Sequence, residues 1–547
     1  MTTTKLLIVL FGSVFTFVFT VNTLLYVQNG YNYKVLLLGL WYSLDNFSAY
    51  SREYLIAVGA AAVFPMIFAL SVLLKRKGIY GDAKFASMTD IKDFGFDMLA
   101  DKGLILGKKS GKYLRNDDNQ SILIVAPQGT GKSAGSIIPM LYSYTGSAII
   151  TDFKGELWNT TSKQRAHFST CKLYAPTLGQ EHEALVCFNP LDKTIIDQIL
   201  AEHHNDFDRV IDYVAKIGSV LFPAQHLQGT EKHFTIKART LFEFFTAYTL
   251  RLSGGTSIPD VYDEILSSPD IKEKIAEVID LAESTNDSYT VTRGNSLIAS
   301  ADEEFGSFAS TLSAKLDAFC TPIIRKSLKK NGFNYTDFRK SSYSLYIYIP
   351  TAEIEKMQPI LTLLFDYLVG EFLSHDYHKE TDQQVTFFLD EFARLGKQPN
   401  LVSLPTLGRS YGTRAVYAFQ NKGQMTSLYG AEAFAEMLSS SDIKIIYQQN
   451  EHNTAEQFSS LIGKTTRKRK SKSRSSSLVK EGGSNSENDE GVPLMLAQDF
   501  LNLKLGDVII VAKGHAERPI KAKSAYWEKE KTMKHLSGYA HNFNIAA

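Results

Sequence analysis

The sequence has little cysteine and almost no net charge, and each shortage excludes a class of protein. Cys171, Cys187 and Cys320 are the only cysteines in 547 residues, and they have neither the paired spacing of a metal site nor the even count of a disulfide framework. Lysine and arginine number 59 against 58 aspartates and glutamates, so the overall field does not steer the chain to nucleic acid. Any DNA contact must therefore come from a local basic patch.

Charge is also missing from two long stretches near the start of the chain. Residues 6–27 are apolar enough to span roughly 30 Å of hydrocarbon as a helix. Residues 54–74 are uncharged as well and are followed by the basic residues 75–77. A cleaved signal peptide is the alternative for the first stretch, but its apolar core exceeds the usual length of about 7 to 15 residues. We predict a transmembrane hairpin with an outer loop at 28–53 and a cytoplasmic remainder, because basic residues follow the second span.

A phosphate-binding loop follows an apolar strand. The segment "ILIVAPQGTGKSAG" (122–135) has the strand–loop–helix context of a P-loop. Backbone N–H groups at the helix start would hold phosphate, Lys132 would reach the β- and γ-phosphates, and Ser133 would ligate Mg²⁺. ATP and Mg²⁺ are therefore the predicted cofactors. The predicted nucleotide-binding residues are Ala126, Pro127, Gln128, Gly129, Thr130, Gly131, Lys132 and Ser133.

The second half of an ATPase site is an apolar strand that ends in acid, and "QVTFFLDEFARLG" (384–396) supplies it. The apolar run 385–389 is typical of a buried central strand, and Asp390 and Glu391 emerge at its carboxyl end, where open α/β sheets bind ligands. We predict that Asp390 holds Mg²⁺ through water. Glu391 would orient or deprotonate the attacking water.

Further polar residues flank neighbouring predicted strands. Gln420 ends the apolar strand 414–419, where its side-chain amide could sense the γ-phosphate. Arg409 and Arg414 flank a glycine-containing turn, and either could serve a neighbouring subunit as an arginine finger or form a surface salt bridge. The strand in "SAIITDFKGELW" delivers three more charged residues to the same crevice: Asp152, Lys154 and Glu156.

Together these motifs resemble the type IV secretion coupling proteins, the membrane-anchored ATPases of bacterial conjugation. The resemblance covers nearly the whole chain. Its elements after the hairpin are "YGDAKFA" (80–86), "APQGTGKSAGSIIPML", "SAIITDFKGE", "CFNPLD" (187–192), "FFLDEFARLGK" (387–397), "GRSYGTRAVYAFQ" (408–420), "LYG" (428–430) and "ERPIKAKSAYW" (517–527). The sequence departs from the family pattern at Ala126, Ser133, Lys84 and Phe153, none of which removes a group that hydrolysis needs.

The resemblance implies an α/β fold in which a RecA-like P-loop ATPase domain is interrupted by an all-α domain. It further implies a hexameric ring at the bacterial inner membrane that recruits DNA with its relaxase, or a protein effector. ATP hydrolysis would be coupled to delivery into a type IV secretion channel, with Arg409 as the trans-acting arginine and Gln420 eleven residues later. Two alternatives stay open: a membrane-tethered double-stranded DNA translocase of the chromosome-partitioning kind, and a nucleotide-regulated receptor for protein effectors.

The predicted domain boundaries follow the change from strand patterns to helix patterns. Helical periodicity dominates after "FNPLD", and the family assigns this insert a role facing the substrate. The boundaries are 1–78 for the hairpin, 79–192 and 321–530 for the two parts of the nucleotide-binding domain, 193–320 for the inserted all-α domain and 531–547 for a tail.

A basic segment interrupts the second part of the nucleotide-binding domain. Residues 464–474 contain seven basic residues and no acidic one, and an acidic stretch rich in glycine and serine follows. The segment predicts either a mobile arm that binds DNA phosphates or a solvated, disordered loop. The lack of interleaved aromatic residues favours the loop.

Overall fold

The computed structural model describes residues 3–28, 51–52, 55–59, 61–63, 66, 79–96, 98, 102–285, 287–474 and 483–545. Its strands are β1 (Leu104–Lys109), β2 (Lys112–Asn116), β3 (Ile122–Val125), β4 (Ser147–Asp152), β5 (Thr170–Tyr174), β6 (Tyr343–Tyr348), β7 (Val385–Leu389), β8 (Thr413–Phe419), β9 (Ile443–Ile446), β10 (Lys464–Arg474), β11 (Gly483–Pro493), β12 (Asp507–Ala512) and β13 (Ile520–Lys523).

The helices connect these strands. They are α1 (Thr3–Gln28), α2 (Met88–Asp93), α3 (Ile138–Ser143, preceded by a π-helical turn at Ser133–Ile137), α4 (Glu156–Arg165), α5 (Lys193–Glu202), α6 (Phe207–Leu221), α7 (Gly229–Ser253), α8 (Ile258–Ile265), α9 (Ile271–Ser284), α10 (Ser288–Ile298), α11 (Asp302–Leu316), α12 (Pro322–Ser327), α13 (Tyr335–Lys340), α14 (Ile354–Ser374), α15 (Pro399–Leu407), α16 (Lys422–Tyr429), α17 (Ala431–Ser440), α18 (His452–Leu461), α19 (Ala497–Leu501) and α20 (Lys531–Lys534).

The chain divides into two compact units, 1–82 with 466–491 and 83–465 with 492–547. The larger unit is built on an eleven-stranded sheet in the order β2-β1-β13-β12-β9-β3-β8-β7-β4-β6-β5. The seven strands from β9 to β5 are parallel, whereas β12, β13, β1 and β2 extend the sheet with antiparallel pairs. The fold is therefore α/β with a mixed sheet, as the motif order predicts.

Apolar side chains cover both faces of the sheet, which explains why its central strands are continuously hydrophobic. Along β3, Leu123 and Val125 belong to one buried cluster and Ile122 and Ile124 to another, because successive side chains point to opposite faces. Along the chain, the nine helices α5 to α13 come between β5 and β6. The aromatic residues of α7 belong to the first cluster or pack against it. Helices fill the region of the predicted insert, and the existence of a separate domain at 193–320 stays a prediction.

The smaller unit contains α1, which coincides with the first predicted membrane span. Within the part of the chain that the structure describes, no helix combines the length and the apolar character needed to cross a membrane. Most of the second predicted span, 54–74, and of the outer loop, 28–53, lies outside the described residues. The transmembrane hairpin stays a prediction.

In the described residues, the basic segment forms a strand and not the predicted loop or mobile arm. The basic strand β10 pairs with the acidic strand β11 in a two-stranded sheet. Arg469 Nη1 lies 3.9 Å from Glu490 Oε2 across the pair. Opposite charges on paired strands compensate each other, which sequence composition alone did not reveal. Binding of DNA by this ribbon stays a prediction.

The predicted tail at 531–547 has ordered structure in its described part. It contains α20 and a short 3₁₀ turn at Ala540–Asn542, and the side chain of Ile545 is only 2% exposed. The buried apolar residues Met533, Ala540 and Ile545 are too widely spaced to produce a helical or strand period. The sequence pattern therefore gave no sign of this packing.

Candidate nucleotide-binding site

The P-loop runs from the carboxyl end of β3 to the helical turn before α3. The Ala126 N–H donates to the Phe419 carbonyl at 3.0 Å, which ties the start of the loop to the end of β8. Gly129 and Gly131 have φ angles of 82° and 78°, a region that favours glycine. A Cβ atom added to Gly129 would meet no atom within 4 Å, so one side of the loop is open.

Four predicted residues meet at the carboxyl ends of β3 and β7. The Ser133 hydroxyl donates to Asp390 Oδ2 at 2.7 Å. Lys132 Nζ lies 3.7 Å from Asp390 Oδ1 and 3.5 Å from Glu391 Oε1. The side chains of Lys132, Asp390 and Glu391 are only 9%, 13% and 10% exposed, so solvent screens their attraction weakly.

Glu391 has a left-handed backbone conformation, with φ 50° and ψ 44°. This conformation costs a residue other than glycine roughly 1–2 kcal/mol, and such strain clusters at functional sites. Glu391 lies between the end of β7 and the 3₁₀ turn at Phe392–Leu395. The Glu391 carboxylate also pairs with Arg394 Nε and lies 3.8 Å from Lys154 Nζ.

Asp152 lies at the end of β4, and its carboxylate stabilises the turn that follows. The side chain is buried and accepts hydrogen bonds from the backbone N–H groups of Trp158 at 2.8 Å and Lys154 at 3.3 Å. Burial raises the pKa of Asp152 to about 7, with a further contribution from the charge of Asp390. Burial and Asp390 also raise the pKa of Glu156. Several carboxyl groups therefore lie close together in this part of the crevice.

Gln420 and the two candidate finger arginines lie at opposite ends of β8. Gln420 follows Phe419, which pairs with Val125 just before the P-loop, so Gln420 borders the nucleotide crevice. Arg409 lies before β8 on an exposed 3₁₀ turn, and at about 3.3 Å per residue this seven-residue strand separates the two ends by about 20 Å. Arg409 therefore does not join the crevice of its own chain.

Arg414 is fully buried and is held by its neighbours. Its Nε donates to Thr386 Oγ1 at 3.0 Å, and its Nη1 donates to the Asp118 carbonyl. A guanidinium held in this way is not available to another subunit. Of the two predicted candidates, Arg409 is the exposed one.

Tyr526 is a contact of the P-loop that sequence reasoning did not single out. Its hydroxyl donates to the Thr130 carbonyl at 2.8 Å, and its ring fills the space that a Cβ on Gly131 would need. The neighbouring Ala525 N–H donates to the Gly135 carbonyl at 3.0 Å. The one available signal was its position in the family-like motif "ERPIKAKSAYW", which has no chemistry of its own.

The residues of the crevice fit a magnesium nucleotide. Ser133 Oγ and Asp390 Oδ2 are hard oxygen donors, the kind that Mg²⁺ prefers. Lys132 supplies a buried positive charge beside an open glycine-rich loop, which suits phosphate. Glu391 adds a carboxylate at the same point.

Sequence comparisons find a family and a relative that match most of this chain. The family model described as "Type IV secretory system Conjugative DNA transfer" matches residues 76–545. Protein VirD4 of Rhizobium radiobacter is 25% identical over 508 residues, which cover 91% of this chain and 71% of that protein.

Solved structures show the same fold. The unbound monoclinic form of the bacterial conjugative coupling protein TrwBdeltaN70 matches with a TM-score of 0.60 at 14% identity, over 86% of this chain and 97% of that chain. Plasmid coupling protein TrwB in complex with ADP and Mg²⁺ matches with a TM-score of 0.55 at 16% identity, over 81% and 94%. Because the family model extends over most of the sequence and includes every motif of the crevice, this chain belongs to the type IV secretory system conjugative DNA transfer family.

Proposed function

We propose that this chain is the coupling ATPase of a conjugative type IV secretion system. It hydrolyses ATP and uses the energy to deliver DNA with its bound relaxase, or a protein effector, into the secretion channel. The observation that carries the proposal is the convergence of Lys132, Ser133, Asp390 and Glu391 within 3.7 Å contacts at the carboxyl edge of the sheet. Family membership supplies the biological process.

The crevice residues divide the work of hydrolysis. Mg²⁺ would neutralise charge on the phosphates; Ser133 Oγ would ligate it, and Asp390 would hold it through water. Lys132 Nζ binds the β- and γ-phosphates. Glu391 Oε1 orients the attacking water and takes its proton. The binding of ADP and Mg²⁺ by TrwB, which shares the fold, supports these cofactors.

The remaining residue roles depend on assembly. Gln420 senses the γ-phosphate from the end of β8 in the same chain. Arg409 reaches the nucleotide of the neighbouring subunit, where its charge offsets the negative charge that develops in the transition state. The exposure of Arg409 on the opposite edge of the sheet supports an action between subunits, and a closed hexameric ring is the assembly that gives every site such a neighbour.

The location and the domain division follow from the same proposal. Residues 1–78 anchor the protein in the bacterial inner membrane through helices at about 6–27 and 54–74, and the bulk of the chain is cytoplasmic. The nucleotide-binding domain comprises 79–192 and 321–530, with the all-α domain 193–320 facing the relaxosome or effector. The apolar stretches and the basic residues after the second one support the anchor.

Steady-state ATP hydrolysis by the full-length protein in nanodiscs, with and without single-stranded and duplex DNA, tests the proposal. In Glu391→Gln, loss of the proton acceptor should lower kcat by about 100-fold or more while ATP binding is retained. Glu355→Gln, an exposed residue of α14 outside the crevice, is the matched control and should behave as wild type.

Three results would contradict the proposal or narrow it. Equal turnover by Glu391→Gln and the wild type would remove the assignment of the catalytic base. Turnover that neither DNA substrate changes would favour the receptor for protein effectors over a DNA-coupled enzyme. Stimulation by duplex DNA alone would favour the double-stranded DNA translocase.

A further inference from the structure

The segment 538–545, called here the C-terminal strap, lies along α4. The Gly538 N–H donates to the Thr160 carbonyl at 3.0 Å, and the Ala540 N–H donates to Ser162 Oγ at 2.9 Å. Helix α4 begins immediately after the turn 152–155, which follows β4 at the nucleotide crevice. The strap therefore packs on the helix that leaves the candidate active site.

The far end of the strap is fixed most firmly. Asn159 Nδ2 donates to the Ile545 carbonyl at 2.8 Å, and the Ile545 N–H donates back to Asn159 Oδ1 at 3.0 Å. Trp158 is fully buried, and its Nε1 donates to the Phe543 carbonyl at 2.7 Å. These hydrogen bonds all involve the first turn of α4 and leave little freedom in the position of Ile545.

Ile545 lies directly against the turn. A Cβ atom on Gly155 would be 2.8 Å from Ile545 Cγ2, so the isoleucine occupies the space above the glycine. Gly155 has a φ angle of 72°, and it starts α4 without a side-chain cap. Packing by Ile545 therefore adds to the stabilisation that the Asp152 carboxylate gives this turn.

The same turn carries two groups of the crevice. Asp152 receives the Trp158 N–H at 2.8 Å, so the residue that holds the strap also orients the buried carboxylate. Lys154 Nζ lies 3.8 Å from Glu391 Oε1. A displacement of Gly155 would move both groups relative to Glu391.

We propose that the C-terminal strap is a positioning element for hydrolysis, which holds the turn 152–155 where Lys154 meets Glu391. This inference rests on the proposed function, because it assigns the strap a role in the same ATP hydrolysis. The P-loop is supported separately, by Phe419 and Tyr526. Loss of strap docking should therefore lower turnover and leave nucleotide binding nearly unchanged.

Ile545→Asp in the full-length protein tests the strap, because a charge at a buried position opposes docking. Asn544→Asp is the matched control, since it adds the same charge at the adjacent exposed residue. We expect kcat to fall about 10-fold in Ile545→Asp with KM changed less than about twofold, because misplacement costs orientation and not phosphate contacts. Ile545→Leu should restore turnover.

Amide hydrogen exchange on the nucleotide-free protein supplies a readout independent of activity. Ile545→Asp should increase hydrogen exchange at the amides of 154–158, including the Trp158 N–H that donates to Asp152. Asn544→Asp should leave exchange at these amides unchanged. If Ile545→Asp loses its overall fold, Asn159→Ala replaces it, because this change removes two hydrogen bonds of the strap and no buried apolar contact of Ile545.

Each outcome has a distinct meaning. Equal exchange in Ile545→Asp and Asn544→Asp would overturn docking of the strap. Increased exchange with unchanged kcat would overturn its positioning role. A wild-type protein without ATPase activity would refute the proposed function, whereas the exchange measurement would still decide whether the strap holds the turn.

Discussion

The two edges of the central sheet both concentrate cations, but the partners of these cations differ. At the carboxyl edge, the cations Lys132, Lys154 and Arg394 face the carboxylates of Asp390 and Glu391. Such charges can exchange one partner for another, so phosphate and Mg²⁺ can enter without leaving a buried charge alone.

At the amino edge, buried cations donate to main-chain carbonyl groups instead. Arg165 is fully buried and donates to the carbonyls of Leu141, Tyr144 and Gly146 at 2.6–3.1 Å. Three further buried cations have the same kind of partner: Arg339, Arg414 and Lys444. Removing such a cation would leave buried carbonyl groups without a donor. Charge at the carboxyl edge therefore serves chemistry, whereas charge at the amino edge holds loops in place.

Arg409 differs from the other cations of the amino edge, and we expect its substitution to reduce activity more than any other described below. It lies at the amino edge but is exposed, so we expect Arg409→Ala to lower kcat by about 10³-fold or more without lowering the melting temperature. Arg209→Ala, an exposed arginine of α6, is the matched control. The measurement is steady-state ATPase activity together with thermal unfolding.

Mixing two inactive variants tests whether Arg409 acts between subunits. Arg409→Ala retains its P-loop, and Lys132→Ala retains its Arg409, so a mixed assembly contains interfaces in which both groups are intact. Partial recovery of activity on mixing is expected. An absence of recovery, or full activity in Arg409→Ala alone, would mean that Arg409 does not act in hydrolysis. Its role would then be structural, like that of the buried cations at the amino edge.

Arg414→Met should show the opposite behaviour. The side chain donates to Thr386 Oγ1 and to the Asp118 carbonyl, so its role is to satisfy buried acceptors. Burial also lowers the pKa of this arginine. Hydrogen bonds to charged groups contribute about 1.5–3 kcal/mol each, and we expect the free energy of unfolding to fall by about 2–3 kcal/mol. Denaturant titration measures this loss. A variant with unchanged stability and a lost kcat would assign Arg414 to catalysis.

The sequence predicted the centre of the sheet better than its margins. The strand 385–389 was predicted to the residue, because five apolar residues end abruptly in two carboxylates. The convergence of Lys132, Ser133 and Asp390 also follows from sequence, because parallel strands end at one edge. Local patterns of this kind need no knowledge of distant partners.

Contacts between distant segments could not be predicted in this way. Tyr526 and Thr130 are 396 residues apart, and nothing in either motif indicates that they meet. The strap has too few apolar residues for a period, and most of its hydrogen bonds to α4 join a side chain to a backbone atom. Spacing alone also left Arg409 and Arg414 equivalent, because burial of Arg414 depends on the carbonyl of Asp118 on another loop.

Lys444 in β9 is a buried cation of the amino edge whose replacement should change stability only slightly. Its side chain is 5% exposed, and its amine donates to the Ser441 carbonyl at 2.7 Å. Burial lowers the pKa of Lys444 to about 8, although the nearby charge of Asp442 favours the charged form. The unfolded chain, with a lysine pKa of about 10.4, binds more protons between pH 8 and 10.4, so the free energy of unfolding contributed by this group rises with pH across that window.

Lys444→Met should therefore be more stable than the wild type at pH 7 by about 1 kcal/mol. The burial cost it removes is on the order of 3 kcal/mol, and the hydrogen bond to Ser441 that it also removes offsets about 1.5–3 kcal/mol of this gain. Denaturant midpoints at pH 7, 9 and 10 should show the advantage shrinking as the pH approaches 10.4, where the wild-type amine is neutral in both states. Lys356→Met is the control, because this lysine is exposed on α14. If the stability difference between Lys444→Met and the wild type stays constant with pH, the fold does not disfavour the charged amine of Lys444. The amino edge would then tolerate a buried charge as the nucleotide crevice does.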